Sequence, residues 1–132
     1  MSARGDEGFP KGRRLRTRRE FVAAQQSGVR VHTPHFVLVL AVGPKAEARS
    51  RLGVTVTRRV GGAVQRNRCK RLVREAFRLD AELVPSGIDL LVVAKDGAPT
   101  LTLADVQAEW TRVRSTLQRR ARELLAARAV PT

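Results

Sequence analysis

The sequence predicts an α+β fold, a β-sheet packed with helices, and three observations carry that expectation. Short runs of β-branched and aliphatic residues, FVLVLAV at 36–42, RLGVTVT at 51–57 and IDLLVVA at 88–94, have the length and composition of strands. Two segments, one opening near Ala63 and a longer one opening near Thr102, space their apolar residues at helical intervals. Glycine and proline clusters separate these pieces, and helices alternate with strands along the chain.

Taken in order, residues 1–14 are rich in glycine, arginine and small residues without periodicity, and read as a mobile basic arm. The rest, 15–128, is expected to form a single domain, because 132 residues are too few for two ordinary ones. Thr17 with Glu20 three residues on makes a capping box for a short first helix. Phe21, Ala24 and Gln25 share its inner face, and Gly28 ends it. The run 36–42 is apolar on both sides, as in a buried strand, and GPKAEARS at 43–50 is a loop or hairpin connection. Next, Leu52, Val54 and Val56 alternate with Gly53, Thr55 and Thr57, so one face of this strand is wet or meets a ligand. Gly61 and Gly62 break it before the helix at Ala63 or Val64. Pro85, Ser86 and Gly87 form a turn ahead of the strand at 88–94, and KDGAPT at 95–100 is a loop. Thr102 and Asp105 cap a long final helix whose inner stripe is Leu103, Val106, Trp110, Val113, Leu117, Ala121, Leu124 and Leu125.

Composition narrows the function. Lysine and arginine number 26 against 12 acids, a formal net charge of +14 that makes a compact chain repel itself unless a polyanion neutralises it. Nucleic acid is the leading candidate. Only Lys11, Lys45, Lys70 and Lys95 are lysines. Guanidinium favours bidentate phosphate contacts and stacking on bases, although a GC-rich genome also raises arginine over lysine. Aromatics make up only 4% of the chain, so valine, leucine and alanine must fill the core. One cysteine, Cys69, excludes an internal disulfide framework and a multi-cysteine zinc site and fits a reducing compartment. No apolar run reaches transmembrane length, and MSARGDEGFPKGRR lacks the apolar core of a secretory signal, so the expected location is cytoplasmic. Docking on an anionic membrane would need large lipid-facing side chains, for which Phe77 is the sole candidate in the basic helix.

That basic helix, AVQRNRCKRLVREAFR at 63–78, concentrates the charge. At about 100° per residue, Arg66, Asn67, Lys70, Arg71, Arg74 and Arg78 fall within an arc of roughly 140°, opposite Cys69, Leu72, Val73, Ala76 and Leu79. A merely solvated face mixes signs for i,i+4 pairing, whereas Glu75 is the only acid between Arg66 and Arg78. Cations four residues apart weaken a helix, which points to phosphate as the neutralising group. DNA and RNA remain alternatives on charge alone.

The span RLGVTVTRRVGGAVQRNRCKRLVREAFR, Arg51 to Arg78, resembles the signature of the bacterial ribonuclease P protein subunit, an R-N-R helix after a strand and a basic turn with glycine. The matching residues are Arg58, Arg59, Gly61, Ala63, Val64, Arg66, Asn67, Arg68, Lys70, Arg71, Arg74, Glu75 and Phe77. Looser agreement runs from about residue 13 to 125: Glu20 and Phe21 before Gly28, then Phe36, then IDLLVVA, then the last helix. The resemblance implies a roughly four-stranded sheet similar to the second domain of a ribosomal small-subunit protein, with a left-handed βαβ crossover through the R-N-R helix. General rules favour the opposite hand.

The resemblance also implies a role: protein subunit of an endoribonuclease whose catalyst is a large RNA, promoting hydrolysis that releases the mature 5′ end of tRNA. Implied partners are the catalytic RNA and the 5′ leader of precursor tRNA, with Mg²⁺ held mainly by RNA and no cofactor bound by the protein alone. No protein partner is required, and no protein residue is catalytic. Arg58, Arg59, Arg66, Asn67, Arg68, Lys70, Arg71, Arg74 and Arg78 would face the catalytic RNA, Asn67 adding a directional donor and acceptor. Phe21, Gln25, Val37, Val39, Thr55 and Thr57 would line the leader cleft, where single-stranded RNA is held by stacking and sequence-tolerant contacts. The family often has an aromatic where Gln25 stands and tyrosine where Val39 stands, so weaker stacking is expected here. The residues agree in lacking a nuclease constellation: His32 and His35 read as loop residues before a strand, and no D-x-D or H-x-H cluster gathers two metals. Trp110 and Cys69 read as core, and Phe21 is alternatively a core aromatic. Arg13, Arg14, Arg16, Arg18 and Arg19 either belong to a disordered arm or clamp RNA. Two other readings compete: a ribosomal or DNA-binding module without catalysis, against which the Gly61-Gly62 and R-N-R pattern argues, and a stand-alone metal nuclease.

Overall fold

The structure is a computed structural model and describes residues 28–43 and 49–129 together with Arg19, Val22 and Gln26. Those last three are helical and exposed; the basic arm at 1–14 and the Phe21, Ala24 and Gln25 face lie outside the described residues. Four strands follow: β1 (Val29–His32), β2 (Phe36–Val42), β3 (Leu52–Thr55) and β4 (Ile88–Ala94). Helix α1 (Ala63–Arg78) joins β3 to β4, and α2 (Leu103–Ala129) closes the described chain after a 3₁₀ turn (Ala98–Thr100). The strand order is β1-β2-β4-β3, antiparallel except for the parallel β3–β4 pair. The α+β class and the four-stranded sheet are as expected. β1 was not read from the residues, since only Val29 and Val31 alternate with Arg30 and His32 in a strand of four.

Both helices pack on one face of the sheet, α2 over β1 and β2, and α1 over β3 and against α2. Phe36, Leu38, Leu40, Leu52, Ile88, Leu90 and Val92 meet Val73, Phe77, Val106, Trp110 and Leu117 there. The predicted stripe of α2 holds in full: Val106, Trp110, Leu117 and Ala121 are buried, and Leu103, Val113, Leu124 and Leu125 border them. The Trp110 ring meets Phe36 edge-on with centroids 6.0 Å apart. Thr102 and Asp105 cap α2 reciprocally, as their spacing predicts: the Asp105 N–H donates to Thr102 Oγ1 at 3.2 Å and the Thr102 N–H to Asp105 Oδ2 at 2.9 Å.

The other face carries a smaller apolar patch, in which Val39, Ala41 and Leu91 are buried and Val37 and Val93 flank them. Register aligns two rows across this face. One runs His32, Val37, Val93, Thr55, and the next Arg30, Val39, Leu91, Gly53.

Polar ties fix the layers. Glu109, buried on α2, accepts from the Thr33 hydroxyl at 2.6 Å, the His35 N–H at 2.8 Å and His35 Nδ1 at 2.8 Å. His35 lies in the loop before β2, as read, and is a structural partner there, whereas His32 departs from the loop reading by ending β1, where it is exposed. Asp89, 6% exposed in β4, takes a two-pronged contact from Arg51. Arg114 of α2 reaches Asp80, just past α1, at 2.7 Å. No helix among the described residues is long and apolar enough to cross a membrane.

Candidate nucleic-acid interface

The interface is built on α1, and its orientation follows from which residues the sheet buries. Cys69, Val73, Ala76 and Phe77 are inside. Phe77 is therefore core and unavailable to a membrane, while Leu79, expected inside, is the C-cap and 48% exposed. The buried stripe is rotated from the sequence reading toward Arg66 and Lys70, because the large Phe77 ring wins the inward position over Leu79 at the helix end. Arg66, Lys70 and Arg74 consequently run along the border of the core, half-buried. Asn67, Arg71 and Arg78 stand exposed on the crest.

The strand-to-helix turn adds to the field. Arg58 and Arg59 are exposed in the turn closed by the Val60 N–H donating to Thr57 O at 3.0 Å. A Cβ on Gly61 would sit 3.0 Å from Gln65 Cβ, so glycine lets the turn fold directly onto the helix. Arg66 pins the same turn, donating from its guanidinium to Gly61 O at 2.9 Å. Gly62 caps α1 without a side-chain acceptor, and no acid lies in the first turn, so the positive end of the helix dipole is left uncompensated beside Arg58 and Arg59.

Only one acid interrupts the ridge. Glu75 grips Arg78 in a two-pronged contact at 3.0 and 2.6 Å, and that hydrogen bond holds its carboxyl below the usual range. Arg58, Arg59, Lys70 and Arg71 make no ion pair with any described residue.

Arg68, which the resemblance also assigns to the RNA face, is exposed and has partners within the protein. It points to the opposite flank of α1 and donates to Pro99 O at 2.8 Å and Leu101 O at 3.2 Å, tying the helix to the turn that launches α2. Cys69 is fully buried, and burial pushes its thiol up despite the nearby Arg68 charge, as expected of a packing residue.

Of the expected leader residues, Val37 and Thr55 share one row of the second sheet face, and Thr57 is exposed just beyond β3. Val39 lies in the neighbouring row at 1% exposure, so its side chain is covered and contributes packing. Phe21 and Gln25 lie outside the described residues. Among the described residues no three histidine, cysteine, aspartate or glutamate side chains converge to hold a metal.

A four-stranded α+β domain with a one-sided cationic helix defines a small basic protein shaped for a polyanion. Comparison with known proteins specifies which. The family model Ribonuclease P matches residues 9–119. The ribonuclease P protein component of Desulfatibacillum aliphaticivorans is 46% identical over 91 residues, 69% of this chain and 75% of that one. The corresponding protein of Desulfovibrio desulfuricans is 43% identical over 103 residues, 76% of this chain and 79% of the other. Among solved structures, the Staphylococcus aureus RNase P protein superposes with a TM-score of 0.69 at 26% identity, covering 80% of this chain and 95% of its own. The Thermotoga maritima RNase P protein does so with 0.69 at 28%, covering 80% and 97%. The chain belongs to the ribonuclease P protein family. It is the protein component of an endoribonuclease that processes tRNA, and its partner in that ribonucleoprotein is RNA.

Proposed function

We propose that this protein binds the catalytic RNA of ribonuclease P through the α1 ridge and guides the 5′ leader of precursor tRNA across the second sheet face, so that the RNA subunit hydrolyses the bond freeing the mature tRNA 5′ end. One observation carries the reading: Lys70 and Arg71 on α1 and Arg58 and Arg59 before it have no ionic partner among the described residues, on a helix whose like charges oppose its own stability. Phosphates at Arg58, Arg59, Arg66, Lys70, Arg71, Arg74 and Arg78 relieve that repulsion and release counterions. Asn67 supplies a directed amide on the crest. Arg68 acts at one remove, holding α1 against the start of α2.

For the leader, Val37, Val93, Thr55 and Thr57 offer a low apolar floor edged by hydroxyls, which suits single-stranded RNA of varied sequence. Phe21 and Gln25 are assigned to the same cleft by family resemblance, and Val39 supports the floor from within. Mg²⁺ is assigned to the RNA subunit. Among the described residues no cluster of histidine, cysteine or carboxylate side chains fits a metal ion. Residues 15–128 act as one RNA-binding domain in the cytoplasm, with 1–14 as a basic arm.

Reconstitution tests the proposal. Adding the protein to a bacterial ribonuclease P RNA and precursor tRNA at low Mg²⁺ should stimulate 5′ cleavage. Cleavage by the RNA-free protein, or no stimulation, refutes it.

A further inference from the structure

Helix α2 carries six arginines, Arg112, Arg114, Arg119, Arg120, Arg122 and Arg128, but only three acids. Each acid is already engaged. Asp105 closes the cap with Thr102, Glu109 is buried on Thr33 and His35, and Glu123 meets Arg120 at 3.4 Å. Arg114 is spent on Asp80, and Arg128 donates to Gly43 O at 2.7 Å. Arg112, Arg119 and Arg122 remain, exposed and without an ion pair among the described residues.

These three are not scattered. At about 100° per residue they fall within an arc of roughly 80°, opposite the buried Val106, Trp110, Leu117 and Ala121. Their row therefore points straight away from the sheet and spans about 15 Å along the axis. Ala108, Ser115 and Ala126 lie in the same exposed strip, so no bulky side chain keeps a partner's backbone off the arginines.

We propose that the Arg112, Arg119 and Arg122 row on α2 is a second phosphate-binding surface for the RNA subunit, separate from the α1 ridge. Both helices lie on one sheet face, but Arg66, Lys70 and Arg74 occupy the core border of α1 while this row forms the crest of α2. A large folded RNA has phosphates enough to reach both. Charge selects the occupant: three guanidinium groups without an ion pair among the described residues lie along one strip, and Glu123, the acid beside it, is engaged by Arg120 at 3.4 Å.

The inference rests on the RNA-partner reading, and its test separates the two. Binding of the full chain to ribonuclease P RNA is measured against salt for R112Q/R119Q/R122Q, its triple-lysine counterpart and Arg71→Ala. Losing three phosphate contacts should make the slope of log K against log salt shallower by about 2 to 3, with lysine restoring it. Thermal unfolding should be nearly unchanged, because the row touches no core. A triple-glutamine slope equal to the unmodified one, alongside a flattened Arg71→Ala slope, overturns the second surface and leaves the α1 reading standing. If neither changes, the α1 reading falls as well.

Discussion

Two arginines three positions apart on α1 should fail in opposite ways. Arg71 is exposed on the crest with no ion pair among the described residues, whereas Arg68 spends its guanidinium on Pro99 O and Leu101 O at 2.8 and 3.2 Å. Replacing Arg71 by alanine removes one phosphate contact, which lowers the salt slope of RNA binding by about 0.7 to 0.9. Raising salt from roughly 50 to 200 mM then shrinks the unmodified protein's affinity advantage about threefold. Thermal stability should hold, since the side chain supports nothing else. Arg68→Ala instead removes two charge-assisted hydrogen bonds, part-exposed and so at the low end of their range, for a loss of about 1–3 kcal/mol. For a chain of this size that lowers Tm by roughly 4–12 °C. RNA affinity should also fall, because α1 loses its brace, but the salt slope should stay. Filter binding across a salt series and differential scanning calorimetry read the two quantities. An Arg68→Ala protein with unchanged Tm and a flattened slope would refute the division between bracing and binding.

Other outcomes follow from the same contacts. Burial pushes the Glu109 carboxyl up, but hydrogen bonds from Thr33 and His35 outweigh it and leave it below the ordinary 4.5. Its stabilising contribution is then present above that value and drains away as pH falls through the folded one, so Glu109→Gln should cost about 1–3 kcal/mol at neutral pH and less in acid by urea denaturation. Leu117, fully buried under α2, should cost about 2–5 kcal/mol when cut to alanine. Gly97 has φ of 87°, and Gly97→Ala should lose roughly 1–2 kcal/mol in the same assay. Cys69 should resist alkylation in the native protein and react only on unfolding, as mass spectrometry would record.

Periodicity exposed much of this architecture because long elements average over many residues. The α2 stripe spans about six turns, so no single residue could mislead it. β1 has four residues with two valines facing the core side, too few to separate a strand from the approach to β2. α1 shows a second limit. An ideal wheel located the cations, but the identity of the inward residue at its last turn depended on the space under the helix, which admits Phe77 and turns Leu79 out. Arg68 shows a third: the helical wheel leaves it off the cationic arc, family resemblance groups it with its R-N-R neighbours, and only the fold brings Pro99 and Leu101 within its reach. Glu109 was invisible for the same reason: its partners Thr33 and His35 are more than seventy positions away.

Because β3 and β4 pair side by side, the sixteen residues of α1 are clamped at both ends by strands that already hold each other. Cut free as a peptide, 63–78 would have a bare glycine at its start, no acid to calm its opening turn and cations crowding every fourth place, and it should be mostly coil in water. The ridge is thus no portable cassette: transplanted without its sheet, the same letters would lose the spacing that lets them read a phosphate chain.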